Sequence, residues 1–185
     1  MSSLATRLVT WEEFLELPES TDKAEHYELH DGEVVLVPPP SCRHVALQAQ
    51  IVKLLRPVED LGFYISIKFP YRPAVDYQFW KADVAIVPAA VLDAMARTPE
   101  VWQVYAPPLV IEVLSPSNTM QEMNRKRVVA MSAGTTEFWV VDADARAVHV
   151  TTKGAVKTFR QGETIALEAV PGVAVSVDAI FQHLE

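Results

Sequence analysis

Hydrophobic positions along the chain fall into runs of two kinds, spaced three to four apart or alternating by two, and their order predicts the elements. Thr10-Trp11-Glu12-Glu13 has the form of a capping box, which predicts a short helix running to about Leu17 before Pro18. HYELHDGEVVLVPPP reads as a hairpin, because Asp31-Gly32 tolerates the positive φ of a tight turn. Ser41 is placed to cap a helix SCRHVALQAQIVKLLR that carries Leu47, Ile51 and Leu55 on one stripe and stops at Pro57. FYISIKFPYR and FWKADVAIV follow as strands, VLDAMAR as one or two helical turns, and TPEVWQVYAPP as a loop. LVIEVL is a short apolar run of strand length. Thr119-Met120-Gln121-Glu122 repeats the capping-box pattern ahead of a helix that Gly134 would end. TEFWVVDADARAVHVTT reads as two strands joined by a turn, and the tail as further short strands with a last helical turn around AIFQHL.

Helices and strands therefore mix, which predicts an α/β (α+β) domain with a mixed central sheet covered on both faces, spanning residues 1–185 as one unit. Composition agrees: of 185 residues half are hydrophobic and 22% are charged, a globular balance that excludes a disordered chain. The opening MSSLATRLVTWEEF lacks the basic start and apolar core of a signal peptide, and no apolar run is long enough to span a bilayer, so a cytoplasmic location without a membrane partner is expected. Cys42 is the only cysteine, which excludes an intrachain disulfide and a thiolate zinc cluster. There is no glycine-rich phosphate loop, no G-x-S-x-G elbow and no H-E-x-x-H. The net charge of −8 weighs against nucleic-acid binding in general, although a local basic strip can coexist with an acidic remainder.

Three charged residues stand where apolar ones are expected. Glu112 shares a strand face with Val110 and Leu114, while Leu109, Ile111 and Val113 take the other. Asp83 is expected to share a face with Ala85 and Val87, with Ala82, Val84 and Ile86 on the reverse. At about 100° per residue, Lys126 falls among Met123, Val129, Ala130 and Ala133, inside the apolar arc of its helix. A crossover beginning Ser115-Pro116-Ser117 folds that helix back toward Glu112. An unpaired buried carboxylate is costly, and a divalent ion is one way to offset that cost. Two strand-borne carboxylates suit Mg²⁺ or Mn²⁺, with Asp83 and Glu112 as the metal ligands and Lys126 beside them to hold a water and balance developing charge. Glu122, one turn before Lys126, offers an alternative i,i+4 partner for the lysine. His44 lies on the inward stripe of its helix, as a core histidine or near the metal, and Glu28 and Glu33 of the hairpin are auxiliary candidates.

At this point the order of motifs resembles a known family. TWEEFLELP, YELHDGEVVLVPPPS, ADVAIV, IEVLSPS, the RKR-bearing helix and AGTTEFWVVD together are similar to the putative restriction endonuclease (Uma-two-like) family of the PD-(D/E)XK nuclease superfamily. The resemblance implies a restriction-endonuclease-like core and a divalent metal site. It assigns Asp83 to the PD element and Glu112 to the (D/E)XK element. Leu114 stands two residues after Glu112, so the lysine is supplied instead by the following helix, as Lys126. Ala82 in place of proline, Glu122 in place of aspartate and Ala130 in place of tyrosine depart from the family pattern.

The function expected is a metal-dependent endonuclease acting on nucleic acid, with double-stranded DNA the expected substrate. A homodimer is attractive because cutting both strands of a duplex needs two sites. Arg43, Lys53, Arg56, Lys68, Arg72, Lys81, Arg125 and Arg127 are the basic residues that could touch a phosphate backbone. The competing expectation is a nuclease fold that has become a binding or interaction module, which the acidic balance and the Ala82 and Ala130 departures favour.

Overall fold

A computed structural model of the chain describes residues 7–18, 25–98, 103–115 and 118–184. Residues 99–102 of the expected loop and Pro116-Ser117 of the expected crossover lie outside them. Helix α1 (Trp11–Leu15) has both bonds of its capping box. Strands β1 (His26–His30) and β2 (Glu33–Val37) form the hairpin in full register. Its turn has φ of +50° at Asp31 and +81° at Gly32. A Cβ on Gly32 would stand 2.7 Å from the Leu8 Cβ, so this position needs glycine for space as well as for φ.

Helix α2 (Cys42–Leu55) is capped by the Ser41 hydroxyl and passes into a 3₁₀ turn, Arg56–Leu61, which Pro57 opens. Then come β3 (Phe63–Tyr71), β4 (Gln78–Pro88), α3 (Ala89–Ala96), β5 (Leu109–Val113) and α4 (Met120–Ser132). The chain continues through β6 (Glu137–Asp142), β7 (Ala147–Thr152), β8 (Val156–Phe159), β9 (Thr164–Ala166), β10 (Ala174–Ser176) and α5 (Val177–Phe181). The main sheet has eight strands in the order β2-β1-β4-β5-β6-β7-β8, with β3 also paired to β4, while β9 and β10 form a separate pair. The β5/β6 pair is parallel and α4 connects its strands; the other pairs of the main sheet are antiparallel.

Both faces of the sheet are covered, as the doubly apolar strands predict. On one face Leu47, Ile51 and Leu55 of α2 join Val84, Ile86, Leu109, Ile111, Val113, Trp139 and residues of α5 and the β9/β10 pair in one core cluster. On the other, Met123 and Ala130 of α4 join Trp80, Ala82, Ala85, Val87, Val110 and Phe138. Burying one such Leu, Ile or Val side chain contributes roughly 1.5–3 kcal/mol. Ala82 lies with Ala85 and Val87, not with Val84 and Ile86, so the strict alternation expected for β4 is broken at Asp83.

That break is visible in the pairing. On one edge β4 meets β1 only through Gln78 and Phe79 and meets β5 only from Val84 to Ile86. Residues 80–83 thus face a fork in the sheet between β1 and β5. Two backbone amides in this fork are satisfied by carboxylates: Lys81 N–H donates to Glu28 Oε1 at 2.9 Å, and Val113 N–H donates to Asp83 Oδ2 at 2.8 Å.

Candidate active site in the fork of the sheet

Period-two geometry puts His26, Glu28 and His30 on one face of β1. Glu28 is buried, and its Oε2 lies 2.8 Å from His30 Nε2 and 3.0 Å from Lys126 Nζ, while His26 Nε2 stands 3.7 Å from Oε1. Burial alone would raise its pKa. The Lys126 ammonium, helped by His26 and His30, more than offsets this and holds the group well below the usual carboxylate range.

Asp83 occupies the end of the fork. Its Oδ1 is approached by Lys68 Nζ at 2.5 Å, Gln48 Nε2 at 3.0 Å and His44 Nε2 at 3.0 Å. The His44 nitrogen is close without an aligned hydrogen bond. Gln48 and His44 are one turn apart on the inward stripe of α2, which explains why both reach the same oxygen. Lys68 lies between Ile67, paired with Val84, and Phe69, paired with Ala82, and is therefore directly opposite Asp83. Its φ of +54° interrupts the ladder there. Burial pushes Asp83 up, but His44 and Lys68 outweigh it, so the carboxyl stays ionised below its ordinary pKa.

Glu112 is different. It is buried, and Oε1 has no hydrogen-bond partner; the nearest cation, Lys126 Nζ, is 3.5 Å away. Burial, only partly countered by Lys126 and reinforced by the charges of Asp83 and Glu28, pushes its pKa to about 8. Lys126 is itself buried, and although burial pulls its pKa down, Glu112 and Glu28 raise it above the ordinary lysine value. Of the two acids Glu28 is the nearer to Lys126, at 3.0 Å against 3.5 Å for Glu112. Lys126 Nζ also lies 5.8 Å from the centre of the Trp80 ring.

Glu28, His44, Lys68, Asp83, Glu112 and Lys126 all line one cavity of about 300 Å³. The expected trio of Asp83, Glu112 and Lys126 is therefore brought together, and His44 and Glu28 join it. Glu33 does not: it is exposed on β2 and stands outside the cavity wall. The proposed i,i+4 attraction of Glu122 for Lys126 is also corrected, since Glu122 accepts from the Thr119 amide in the capping box and Lys126 turns to Glu28 and Glu112. Of the eight basic residues considered for phosphate contact, Lys68 and Lys81 line the cavity. Arg72 is buried over the Trp11 ring and donates to Val75 O, Arg43 pairs with Asp144, and Arg125 pairs with Asp31. Lys68, Gln48 and His30 carry no catalytic expectation from sequence. The i,i+4 spacing of His44 and Gln48 and the alternation in HYELH were the available signals for two of them.

Among the described residues no three His, Cys, Asp or Glu side chains group closely enough to hold an ion by themselves. The donor set fits a hard cation that takes one or two carboxylates and completes its shell with water. The orphaned buried Oε1 of Glu112 is the observation that favours a cation there.

A mixed sheet with helices on both faces and a buried acid-acid-lysine cluster in its fork defines a nuclease-like α/β fold. A solved putative nuclease belonging to DUF820 from Anabaena variabilis shares it, with a TM-score of 0.77, 21% identity, and alignment over 96% of this chain and 99% of that one. Over residues 11–178 the sequence matches the model of the Uma2 family, described as putative restriction endonuclease, and the chain belongs to that family. No curated protein matches it. Among the described residues no helix is long and apolar enough to cross a membrane.

Proposed function

We propose that the chain is a divalent-metal-dependent endonuclease that hydrolyses phosphodiester bonds of nucleic acid, with double-stranded DNA as substrate and a cytoplasmic homodimer as the working form. One observation carries the reading: a buried carboxylate oxygen without a hydrogen bond, on Glu112, faces the same cavity as Asp83 and Lys126. Asp83 and Glu112 would hold Mg²⁺ or Mn²⁺, which supplies a Lewis acid for the phosphoryl oxygen. Lys126, kept protonated by Glu28, would place a positive charge where negative charge develops on the phosphate. Family membership supports the class of chemistry, since restriction-endonuclease-like families generally use divalent ions.

A second reading has its own observation. Asp83 already has partners on both oxygens, from Lys68, Gln48 and His44 on one and the Val113 amide on the other, as a purely structural carboxylate would. A catalytically inactive nuclease fold serving as a binding module would look like this. Calorimetric titration with Mn²⁺ separates the two. Saturable binding that is lost in Asp83→Asn and Glu112→Gln, with nicking of supercoiled plasmid by the unaltered chain but not by Lys126→Ala, is the expected result. Absence of Mn²⁺ binding in the unaltered chain overturns the nuclease reading.

A further inference from the structure

Lys68 was expected, at most, to touch a phosphate backbone, yet its ammonium makes the shortest contact that Asp83 has, 2.5 Å from Oδ1. Hydrogen bonds from Lys68 and Gln48 already take the two lone pairs of this oxygen, with His44 Nε2 close beside them, so a cation can bind there only when one of the two donors leaves. Gln48 and His44 are poor candidates to move. Both side chains are buried on a capped helix, and Gln48 is fixed a second time through the Asp83 carbonyl at 3.3 Å. Lys68 is the mobile partner by construction: its side chain is 31% exposed, against 5% for Asp83, and four flexible methylenes connect it to the strand. Its backbone is also held at φ +54°, an uncommon conformation for a non-glycine residue. The strand gives up one ladder pair at this point to turn the lysine toward Asp83.

We propose that Lys68 is an exchangeable counter-ion of Asp83: it holds the carboxylate until a divalent cation takes that oxygen, and its ammonium then moves to a phosphate of the substrate strand. The inference rests on the metal-dependent reading above. An internal cation at 2.5 Å competes with a metal for the same charge, so its removal strengthens metal binding. The released ammonium stays in a cavity that Lys81 also lines, where an anionic oxygen is the natural replacement partner. Metal and phosphate binding thereby become coupled through one side chain, each favouring the state the other needs.

The test uses the full chain. Mn²⁺ is titrated calorimetrically into the unaltered chain, Lys68→Met, Lys68→Gly and Asp83→Asn, and binding of a fluorescein-labelled DNA duplex is followed by anisotropy in Ca²⁺. Lys68→Gly removes the cation while accepting the positive φ, which guards against a folding artefact in the methionine variant. Both Lys68 variants are expected to bind Mn²⁺ about tenfold more tightly than the unaltered chain. They are also expected to bind the duplex more weakly, with a salt dependence reduced by about one phosphate contact. Unchanged or weaker Mn²⁺ binding in both variants, while Asp83→Asn still abolishes it, overturns the exchange and leaves the metal site standing. Unchanged duplex affinity and salt slope in both variants also overturn it. No Mn²⁺ binding in any variant or in the unaltered chain overturns both this inference and the reading beneath it.

Discussion

Replacing Glu112 with glutamine should make the metal-free protein more resistant to unfolding at alkaline pH. Burial pushes this carboxyl from 4.5 to about 8, so between those values the folded chain carries a proton that the unfolded chain has lost. The stability associated with that proton is fully present below the unfolded pKa and is lost as pH rises through the folded one. At about 1.4 kcal/mol per pKa unit, the loss between pH 5 and pH 9 amounts to about 4 kcal/mol for this group. Glutamine has the shape of the protonated acid and no such transition. The assay is urea denaturation of both chains in EDTA at pH 5 and pH 9. With a slope of about 2 kcal/mol per molar urea, the midpoint of Glu112→Gln should exceed that of the unaltered chain at pH 9 by about 2 M more than it does at pH 5. Parallel loss of stability in both chains over this range, or a less stable Glu112→Gln at pH 9, would refute the assignment of Glu112 as a desolvated carboxyl.

Lys126→Met keeps the length of the stem but removes the buried ammonium that lies 3.0 Å from Glu28 and 3.5 Å from Glu112. Stability should fall by about 3–5 kcal/mol at pH 7, measured by denaturant titration, whereas a lysine merely reaching out to water would cost under about 1 kcal/mol. Glu137→Ala should destabilise by about 2–4 kcal/mol, because the fully buried Glu137 accepts from Trp139 Nε1 at 2.7 Å and from the amides of Glu168 and Ala169. Calorimetry should find Mn²⁺ affinity unchanged in that variant, since Glu137 is outside the cavity wall. Glu33→Ala should leave plasmid nicking, Mn²⁺ affinity and stability within about 0.5 kcal/mol of the unaltered chain, for the residue is exposed on the edge strand.

Much of the element order is legible because each element carries a local physical signal. Thr10 and Thr119 announce helices through capping boxes that both form, and Asp31-Gly32 announces a turn that only positive φ can make. Lys126 could be placed inside because helical geometry fixes direction from sequence alone. Glu112 could be placed because β5 is regular. Asp83 reaches the cavity by a route that alternation does not foresee: the strand breaks its own alternation there, and period-two reasoning cannot anticipate a fork in a sheet. Lys68 was invisible as a partner because its role depends on register between β3 and β4, a nonlocal fact, and on a backbone conformation that its residue type does not suggest. Glu33 presents the opposite case. It sits in a recognisable motif and, opposite His30, shares the face of Glu28, but it stands at the turn end of the hairpin, outside the cavity wall.

The two stitches at the fork, Glu28 to the Lys81 amide and Asp83 to the Val113 amide, have a bearing on how this protein's relatives should be interpreted. These acids close a seam in the backbone whether or not any substrate is ever cut. A chain of this fold that hydrolyses nothing would still be penalised for losing them, so their presence in another sequence is weak testimony to activity. Glu112 has no such second duty through its unbonded Oε1 and is the more informative position. A relative that has exchanged Glu112 for an apolar residue while keeping Glu28 and Asp83 would be one in which the architecture has outlived the chemistry.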